Sequence, residues 1–340
     1  MSNFRIRTCT VGMVGTNCYL VYREDLKKAV IVDPGDNGAH ILNKCREYGI
    51  IPEALMKKIL VVGSTCVDII LKLDHLPVTG EDLHPKSQTM ALGGCACNVA
   101  HVLLYSGSQF TFLSPVGGGI YGSFVKDALT AHGFPLPVYL PEKENGCCYC
   151  LVEASGERTF LSLHGVEYTF QKEWMEPYRM EDYAMAYLCG LEVEEPTGEA
   201  LVEYFEKERG PQLFFAPGPR GIRLSGNRLN RILALSPVLH INEQEALELG
   251  GRDSVADSAA ALFQITGSPV IVTLGERGAY CHESPEVSYL VPGIPSQVVD
   301  TIGAGDAHIG AILACLQKGK SLYDSIAAAN RVAAAVVSQE

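Results

Sequence analysis

The stretch Asp-Thr-Ile-Gly-Ala-Gly-Asp occupies residues 300–306 and joins a β-branched run to a helix predicted for residues 307–317. Gly303 and Gly305 let the backbone approach a ligand closely, since neither residue carries a side chain. The free N–H groups at the start of the helix favour a bound anion. Asp306 in the same position could accept a proton from a hydroxyl that attacks a phosphoryl group, or it could cap the helix. The residues of this stretch alone favour neither interpretation.

Around this stretch, apolar strand-like runs alternate with helical segments between residues 59 and 274. The predicted strands are residues 59–62, 110–116, 185–188, 213–216, 238–241 and 270–274, and the predicted helices are residues 98–106, 122–132, 198–209, 243–249 and 254–266. The alternation predicts an α/β fold, with a mostly parallel central sheet flanked by helices on both faces. Ligands of such sheets bind outside the carboxyl ends of the strands.

Two segments interrupt the alternation and predict a small β-sheet outside the main one. Residues 69–92 contain a polar turn at residues 77–82, and residues 147–163 have a hairpin pattern with its turn at residues 154–158. We expect antiparallel strands in both segments. They would form a lid that excludes water from a bound substrate, or an edge hairpin that contributes only packing.

The charge balance of the chain limits its partners. With 39 acidic and 27 basic residues among 340, the net charge is −12, which argues against a broad nucleic-acid-binding surface. No run of about 18 uncharged apolar residues is present, and the N-terminus lacks the apolar region of a signal peptide. We therefore expect a cytoplasmic protein with no membrane or nucleic-acid partner, and with its 12 cysteines reduced.

Three of these cysteines, Cys147, Cys148 and Cys150, lie in an apolar run that is typical of a strand. A zinc site would need a second Cys or His pair at zinc-finger spacing, and the sequence lacks one. Buried strand thiols are therefore the favoured interpretation, and a metal site is the alternative.

Met56-Lys57-Lys58 is followed at once by an apolar strand pattern, which is typical of a natural N-terminus. Residues 1–55 precede it. Strands are predicted at residues 5–11, 17–22 and 29–32, a turn at residues 33–36 and a helix at residues 39–48. Residues 11–35 resemble the start of metallo-β-lactamase-fold hydrolases of the glyoxalase II type. The His-x-His-x-Asp-His motif of those enzymes is absent, and hydrolysis needs these ligands on a metal. We therefore predict two domains, a non-catalytic fragment at residues 1–55 and a larger domain at residues 56–340.

Residues 57–340 resemble the ribokinase-like (PfkB) carbohydrate kinases. The family's C-terminal signature has the form Asp-Thr-x-Gly-Ala-Gly-Asp, as at residues 300–306. Residues 93–100 read Gly-Gly-Cys-Ala-Cys-Asn-Val-Ala and are similar to its N-terminal signature, Gly-Gly-x-x-x-Asn-x-Ala. The resemblance implies a ribokinase-like fold with a small β-sheet lid. The catalytic residues that it implies are the base Asp306 and the anion-hole residues Gly303, Ala304 and Gly305.

The resemblance also implies an acceptor site formed by Asp68, Gly93, Gly94, Asn98 and Glu192. Asp68 would bind paired sugar hydroxyls with its two oxygens, and Asn98, at a helix start, offers both a donor and an acceptor. A turn followed by an N-capping Asn would explain the second signature equally well. Cys66 stands where ribokinases have Asn, which puts ribose itself in doubt.

A nucleotide site is implied by further family elements. Asn242-Glu243-Gln244-Glu245 matches an Asn-x-x-Glu element in which Asn242 lies near the phosphates and Glu245 acts on Mg²⁺ through water. An acidic helix start is the alternative interpretation. The remaining implied nucleotide residues are Thr273, Gly275 and Gly278 of a turn, Asp300 and Thr301 near the phosphates and a monovalent-cation loop, and Asn330 near adenine.

Together these elements imply ATP-dependent phosphorylation of a hydroxymethyl group of a sugar or sugar-like molecule. A nucleoside kinase of the same fold and a non-catalytic sugar- or nucleotide-binding protein are the alternatives. The resemblance implies ATP and Mg²⁺ as cofactors, leaves K⁺ as an option, and suggests a homodimer formed through the lid.

Three features depart from the family pattern or stand apart from it. The family usually continues past residues 336–338 with a loop and a final helix, so weakened nucleotide binding or lost cation activation is an open alternative. His308 stands where Phe is common, and we expect it to be a packed helix residue. Arg158, on the predicted lid turn, is expected to be solvated or structural.

Overall fold

The computed structural model describes residues 4–11, 16–32, 38–55, 57–207, 210–218, 221, 224 and 226–338. The chain divides into two compact units, Met1–Lys58 and Ile59–Glu340. Among the described residues, no helix combines the length and the apolar character needed to cross a membrane.

The smaller unit is a four-stranded sheet with one helix. Its strands are β1 (Phe4–Val11), β2 (Thr16–Arg23), β3 (Lys28–Val32) and β4 (Ile51–Leu55), and its helix is α1 (Gly38–Glu47). β1–β2 and β2–β3 are antiparallel, whereas β3–β4 is parallel. Alternate strand residues face one side, so Leu20 and Ile31 are buried in one cluster with Ile41 of α1. The predicted turn at residues 33–36 lies outside the described residues, and β4 is not among the predicted strands.

The strands that follow belong mainly to an eight-stranded sheet. They are β5 (Lys58–Val62), β6 (Cys66–Lys72), β7 (Ser87–Gly93), β8 (Phe110–Leu113), β9 (Pro115–Gly118), β10 (Val138–Glu144), β11 (Cys147–Val152), β12 (Arg158–Leu163), β13 (Tyr183–Cys189), β14 (Gln212–Ala216), β15 (Val238–Asn242), β16 (Val270–Thr273), β17 (Gly278–Ser284) and β18 (Val287–Pro292). The order in the main sheet is β18-β17-β16-β15-β14-β13-β5-β8. β13 to β16 are parallel to one another, as are β5 and β8, and β17 and β18 add an antiparallel edge.

Helices cover both faces of this sheet. They are α2 (Cys95–Tyr105), α3 (Gly119–Ala131), α4 (Lys172–Met175), α5 (Gly190–Glu194), α6 (Gly198–Lys207), α7 (Gly226–Leu233), α8 (Glu243–Gly250), α9 (Val255–Thr266), α10 (Ala304–Gln317) and α11 (Leu322–Val337). In β5, Ile59 and Val61 pack in the same cluster as α2, α10 and α11, whereas Leu60 and Val62 pack in the cluster of α6 to α9. Successive side chains of a strand point to opposite faces, which is why a continuous apolar run is stable here. The predicted architecture is confirmed.

Four strands outside the main sheet form a second sheet in the order β12-β11-β6-β7, called the lid sheet below. β11–β12 and β6–β7 are antiparallel, but β6 and β11 are parallel. The prediction of antiparallel strands is therefore confirmed within each segment, and the two antiparallel pairs join through the parallel pairing of β6 with β11. The predicted strand at residues 110–116 is also two strands, since β8 joins the main sheet and β9 pairs with β10.

Candidate active site

Helix α10 begins at the glycine-rich stretch and holds Asp306 in its first turn. Gly303 precedes the helix, and its φ of 71° lies in the left-handed region that favours glycine. No side chain caps this helix start. The interpretation of Asp306 as a helix cap is therefore wrong, and its carboxylate is left for other partners.

Asn98 is the partner that the fold brings to Asp306. Its Nδ2 donates to Asp306 Oδ2 at 2.9 Å, although 208 positions separate the two residues in the chain. Gly94, with a φ of 101°, is the residue before α2, so Asn98 lies inside the first turn and is not the helix cap. The side chain of Cys95 also interacts with this carboxylate and, like Asn98, favours its ionised form.

The surroundings of Asp306 suit it to proton transfer. Burial raises the pKa of Asp306 to about 7, and the charges of Glu192 and Asp68 add to the rise. The hydrogen bond from Asn98 opposes the rise because it stabilises the ionised carboxylate. A carboxyl group with a pKa near neutral pH can both accept and release a proton under ordinary conditions.

Asp68 lies on β6 of the lid sheet, against the glycine pair. A Cβ built on Gly93 would lie 2.2 Å from Asp68 Oδ2, so any side chain at residue 93 would displace the carboxylate. A Cβ on Gly94 would lie 2.5 Å from the backbone oxygen of Ser64. Burial raises the pKa of Asp68 to about 6, and the Cys66 thiol, 3.8 Å from Oδ1, opposes that rise.

Glu192 differs from the other predicted acceptor residues because it is fully buried. Its Oε1 accepts a hydrogen bond from the backbone N–H of Ser64 at 2.8 Å, and burial raises its pKa. The backbone of Ser64 and Thr65 in turn packs against Gly94. Glu192 therefore holds the loop behind the glycine pair, and its role at the acceptor site stays a prediction.

A cavity of about 390 Å³ lies between the start of α10, α11 and the turn that joins β16 to β17. The predicted nucleotide residues that line it are Thr273, Gly275, Gly278, Thr301 and Asn330. Apolar side chains, among them Ile294 and Val298, complete its wall. This combination of apolar wall and small polar groups is typical of a small-molecule site.

A second cavity, of about 180 Å³, contains Asp306 and lies beside the first. Asn242 and Glu245 also line it. Thr273 and Gly305 line both cavities, so the start of α10 separates the carboxylate of Asp306 from the larger cavity. A Cβ built on Gly305 would meet no atom within 4 Å, which leaves the backbone there open to a ligand.

Asn242 and Glu245 form a reciprocal capping box at the start of α8. Asn242 Oδ1 accepts from the Glu245 N–H at 2.8 Å, and Glu245 Oε2 accepts from the Asn242 N–H at 2.9 Å. The alternative interpretation, in which residues 242–245 form an acidic helix start, is thus correct for the local structure. One carboxylate oxygen of Glu245 takes no part in the capping box, and an oxygen donor acting through water fits Mg²⁺.

Arg158 links the lid sheet to the glycine-rich stretch. Its Nη2 lies 2.9 Å from Asp300 Oδ1, and its Nη1 donates to Thr301 Oγ1 at 2.6 Å. The side chain of Arg158 is only 12% exposed, so it is structural rather than solvated. Asp300 Oδ1 also accepts from the N–H of Ile302 at 2.6 Å. Arg158 therefore pairs with Asp300, and the placement of Asp300 near a monovalent-cation loop stays a prediction.

A buried chain of polar side chains runs beneath the two cavities. His240 Nε2 lies 2.9 Å from His308 Nδ1, and His308 Nε2 lies 3.0 Å from Asn330 Oδ1. The Asn330 amide donates to the backbone oxygens of Val291 and Pro292. His308 is packed as predicted, and burial lowers its pKa to about 4. Sequence reasoning missed His240, since a single His in an apolar strand gives no signal.

A protein-family model described as pfkB family carbohydrate kinase matches residues 56–340. The uncharacterised sugar kinase YegV of Escherichia coli is 33% identical over 301 residues, which cover 87% of this chain and 94% of that protein. A ribokinase of Haemophilus influenzae is 26% identical over 295 residues, which cover 84% of this chain and 94% of that protein.

Solved structures share the fold. A ribokinase from Giardia lamblia has a TM-score of 0.73 and 20% identity, and covers 84% of this chain and 95% of its own. A nucleoside kinase from Burkholderia thailandensis, solved with inosine, has a TM-score of 0.69 and 20% identity, and covers 83% and 92%. None of these matches supports the metallo-β-lactamase resemblance of residues 1–55, and that resemblance has no support beyond the residues quoted for it.

Proposed function

The chain belongs to the pfkB family of carbohydrate kinases, and from this premise we propose that it transfers the terminal phosphoryl group of ATP to a hydroxymethyl group. It is a phosphotransferase with an alcohol group as acceptor, and the proposed acceptor is a sugar or sugar-like molecule. One observation carries the proposal: Asp306 lies at a glycine-rich helix start, is bonded to Asn98, and lines a cavity that shares Gly305 and Thr273 with the larger one.

In the proposed reaction, the acceptor hydroxyl gives its proton to Asp306 as its oxygen bonds to the terminal phosphorus atom. The bond from that phosphorus to the bridging oxygen breaks, and ADP leaves. The N–H groups at residues 303–305 precede or begin α10, so they face the developing negative charge with the positive end of the helix dipole. Charge stabilisation and positioning are the main demands of phosphoryl transfer.

The family uses ATP with a divalent metal. Mg²⁺ would neutralise the phosphate charges when ATP is bound, and Glu245 would orient one of its waters with the oxygen that the capping box leaves open. Asn242 would lie near the phosphates, on the same cavity wall as Glu245. We place the adenine against α11, where Asn330 shapes the wall through its bonds to His308 and to the β18 backbone.

Asp68, Asn98 and the glycine pair form the proposed acceptor site. Asp68 offers two oxygens to neighbouring hydroxyls, and Gly93 leaves room for its carboxylate. Glu192 acts as a positioning residue through Ser64. The edge strand of the lid sheet exposes Phe160, Leu161 and Leu163, and these side chains support the prediction that two copies pair through the lid.

The proposal is tested with purified protein, ATP and Mg²⁺ against a panel of free pentoses, hexoses, deoxysugars and nucleosides. We expect one acceptor class to be phosphorylated at its hydroxymethyl carbon, with the product identified by mass spectrometry and phosphorus NMR. ATP hydrolysis without any acceptor is the control. Tight ATP binding without transfer to any member of the panel would instead support the non-catalytic alternative.

The pH profile should report the ionisation of Asp306. Only the ionised carboxylate can accept a proton, so kcat/KM for the acceptor should reach a plateau well above pH 7 and fall to half of it near pH 7 as the pH drops. Asn98→Ala removes a hydrogen bond that lowers the pKa of Asp306, so the midpoint should move to higher pH. A constant ATP affinity over the same range is the control. An unmoved midpoint in Asn98→Ala would show that another group controls the limb.

A further inference from the structure

The lid-sheet face that carries Asp68 also carries two thiols of β11. Cys148 on β11 pairs directly with Asp68 on β6, and Cys150 follows two residues later on the same face. One ligand atom from each of these three residues lies within 4.8 Å of the other two. Two sulfur atoms and a carboxylate oxygen are a ligand set that binds Zn²⁺ and similar thiophilic ions.

The spacing of the two thiols suits a single ion. Their sulfur atoms lie 3.9 Å apart. Two thiolates on one tetrahedral Zn²⁺, each at about 2.3 Å, stand roughly 3.8 Å apart. The arrangement therefore needs little movement of either side chain to bind an ion.

The two cysteines differ in burial, since Cys150 is buried and Cys148 is half-buried. Cys147, on the other face of β11, belongs to the hydrophobic core, and Tyr149 packs against that core. Neither Cys148 nor Cys150 belongs to a hydrophobic cluster of the described residues. Buried strand thiols, the interpretation favoured from the sequence, describe Cys147 and Cys150, whereas Cys148 is half-buried.

We propose that Asp68, Cys148 and Cys150 form a binding site for a thiophilic divalent metal ion of the Zn²⁺ class. Binding replaces the two thiol protons, which pass to solvent, and leaves the fourth position of a tetrahedral ion open to water. Because the proposed function assigns Asp68 to the acceptor, the metal and the acceptor compete for this site. The metal would thus inhibit phosphoryl transfer by excluding the acceptor rather than ATP.

Metal binding is tested without any catalysis, by titrating the reduced protein with Co²⁺. We expect one tetrahedral Co²⁺ per chain, with thiolate charge-transfer absorption near the ultraviolet and visible ligand-field bands, both displaced by Zn²⁺. The double variant Cys148→Ser and Cys150→Ser should lose these bands. Cys315→Ser, a half-buried cysteine on α10, is the matched control and should keep them. Thermal melting checks that each variant is folded.

Bands that are missing in the native protein, or that persist in the folded double variant, would overturn the metal site. The competition is measured separately, as the effect of Zn²⁺ on the KM of the acceptor and of ATP. We expect only the KM of the acceptor to rise, and only when both cysteines are present. If the protein binds the metal but shows no kinase activity, the metal site is confirmed and the proposed function is wrong.

Discussion

Replacing Asp306 by asparagine is expected to lower kcat for phosphoryl transfer by about 10²–10⁴-fold, the usual contribution of a general base. Asparagine keeps the size of the side chain and can still accept the Asn98 hydrogen bond with its oxygen. It cannot accept a proton from the acceptor hydroxyl. Steady-state kinetics with saturating ATP and acceptor measure the loss, and calorimetry should show that ATP binding is retained.

The stability of Asp306→Asn separates catalysis from folding. The fold raises the pKa of Asp306 to about 7 because burial disfavours the ionised carboxylate. Above pH 7 the carboxylate is ionised in the folded protein, and its burial then lowers the stability of the fold. A neutral asparagine should therefore leave the melting temperature unchanged or raise it at pH 8. Asp324→Asn is the matched control, because Asp324 holds the same position in the first turn of α11 and lies outside the site. If Asp306→Asn retained activity within a few-fold of the native enzyme, Asp306 could not be the base.

Replacing Gly305 by valine is expected to lower kcat by about 10²-fold or more while leaving the fold intact. Gly305 lines both cavities, and a Cβ there would enter open space rather than touch protein atoms. A valine side chain would fill the space through which a phosphoryl group must approach the backbone N–H groups. The loss of a single preorganised donor to such a charge costs about 10²–10³-fold in kcat.

Gly226→Val is the matched control for Gly305→Val. Gly226 also lies at the start of a helix with no atom within 4 Å of a built Cβ, but it lines neither cavity. Both variants should melt close to the native temperature, since valine is no worse than glycine in a helix. Only Gly305→Val should lose kcat. Equal activity of the two variants would show that the glycine-rich stretch does not hold the transferring group.

Local sequence patterns determined much of the fold. Short apolar runs that alternate with amphipathic helices specify a buried parallel sheet, because each strand face must be covered by a helix. The end of α10 at Gln317 was also predicted, but the helix begins at Ala304, three residues before its predicted start, so that Asp306 lies inside its first turn. These features depend on neighbours within a few residues, which a single sequence displays directly.

The tertiary structure decided which distant side chains meet. The bond between Asn98 and Asp306 spans 208 positions, and the bond from Arg158 to Thr301 spans 143. Periodicity gives no information about such pairs, because they depend on how α2 packs against α10 and where the lid sheet lies. The sequence could not separate a solvated Arg158 from a structural one for this reason.

The pairing of β6 with β11 is the clearest case. The sequence by itself determined that Asp68 and the cysteines lie on strands, and that alternate residues of each strand face opposite ways. Only the parallel register brings Cys148 beside Asp68. A shift of one residue in β11 would turn both thiols toward the core. Residues from the other face of β11 would then lie beside Asp68. Register depends on the packing of whole sheets, and the tertiary structure alone fixes it.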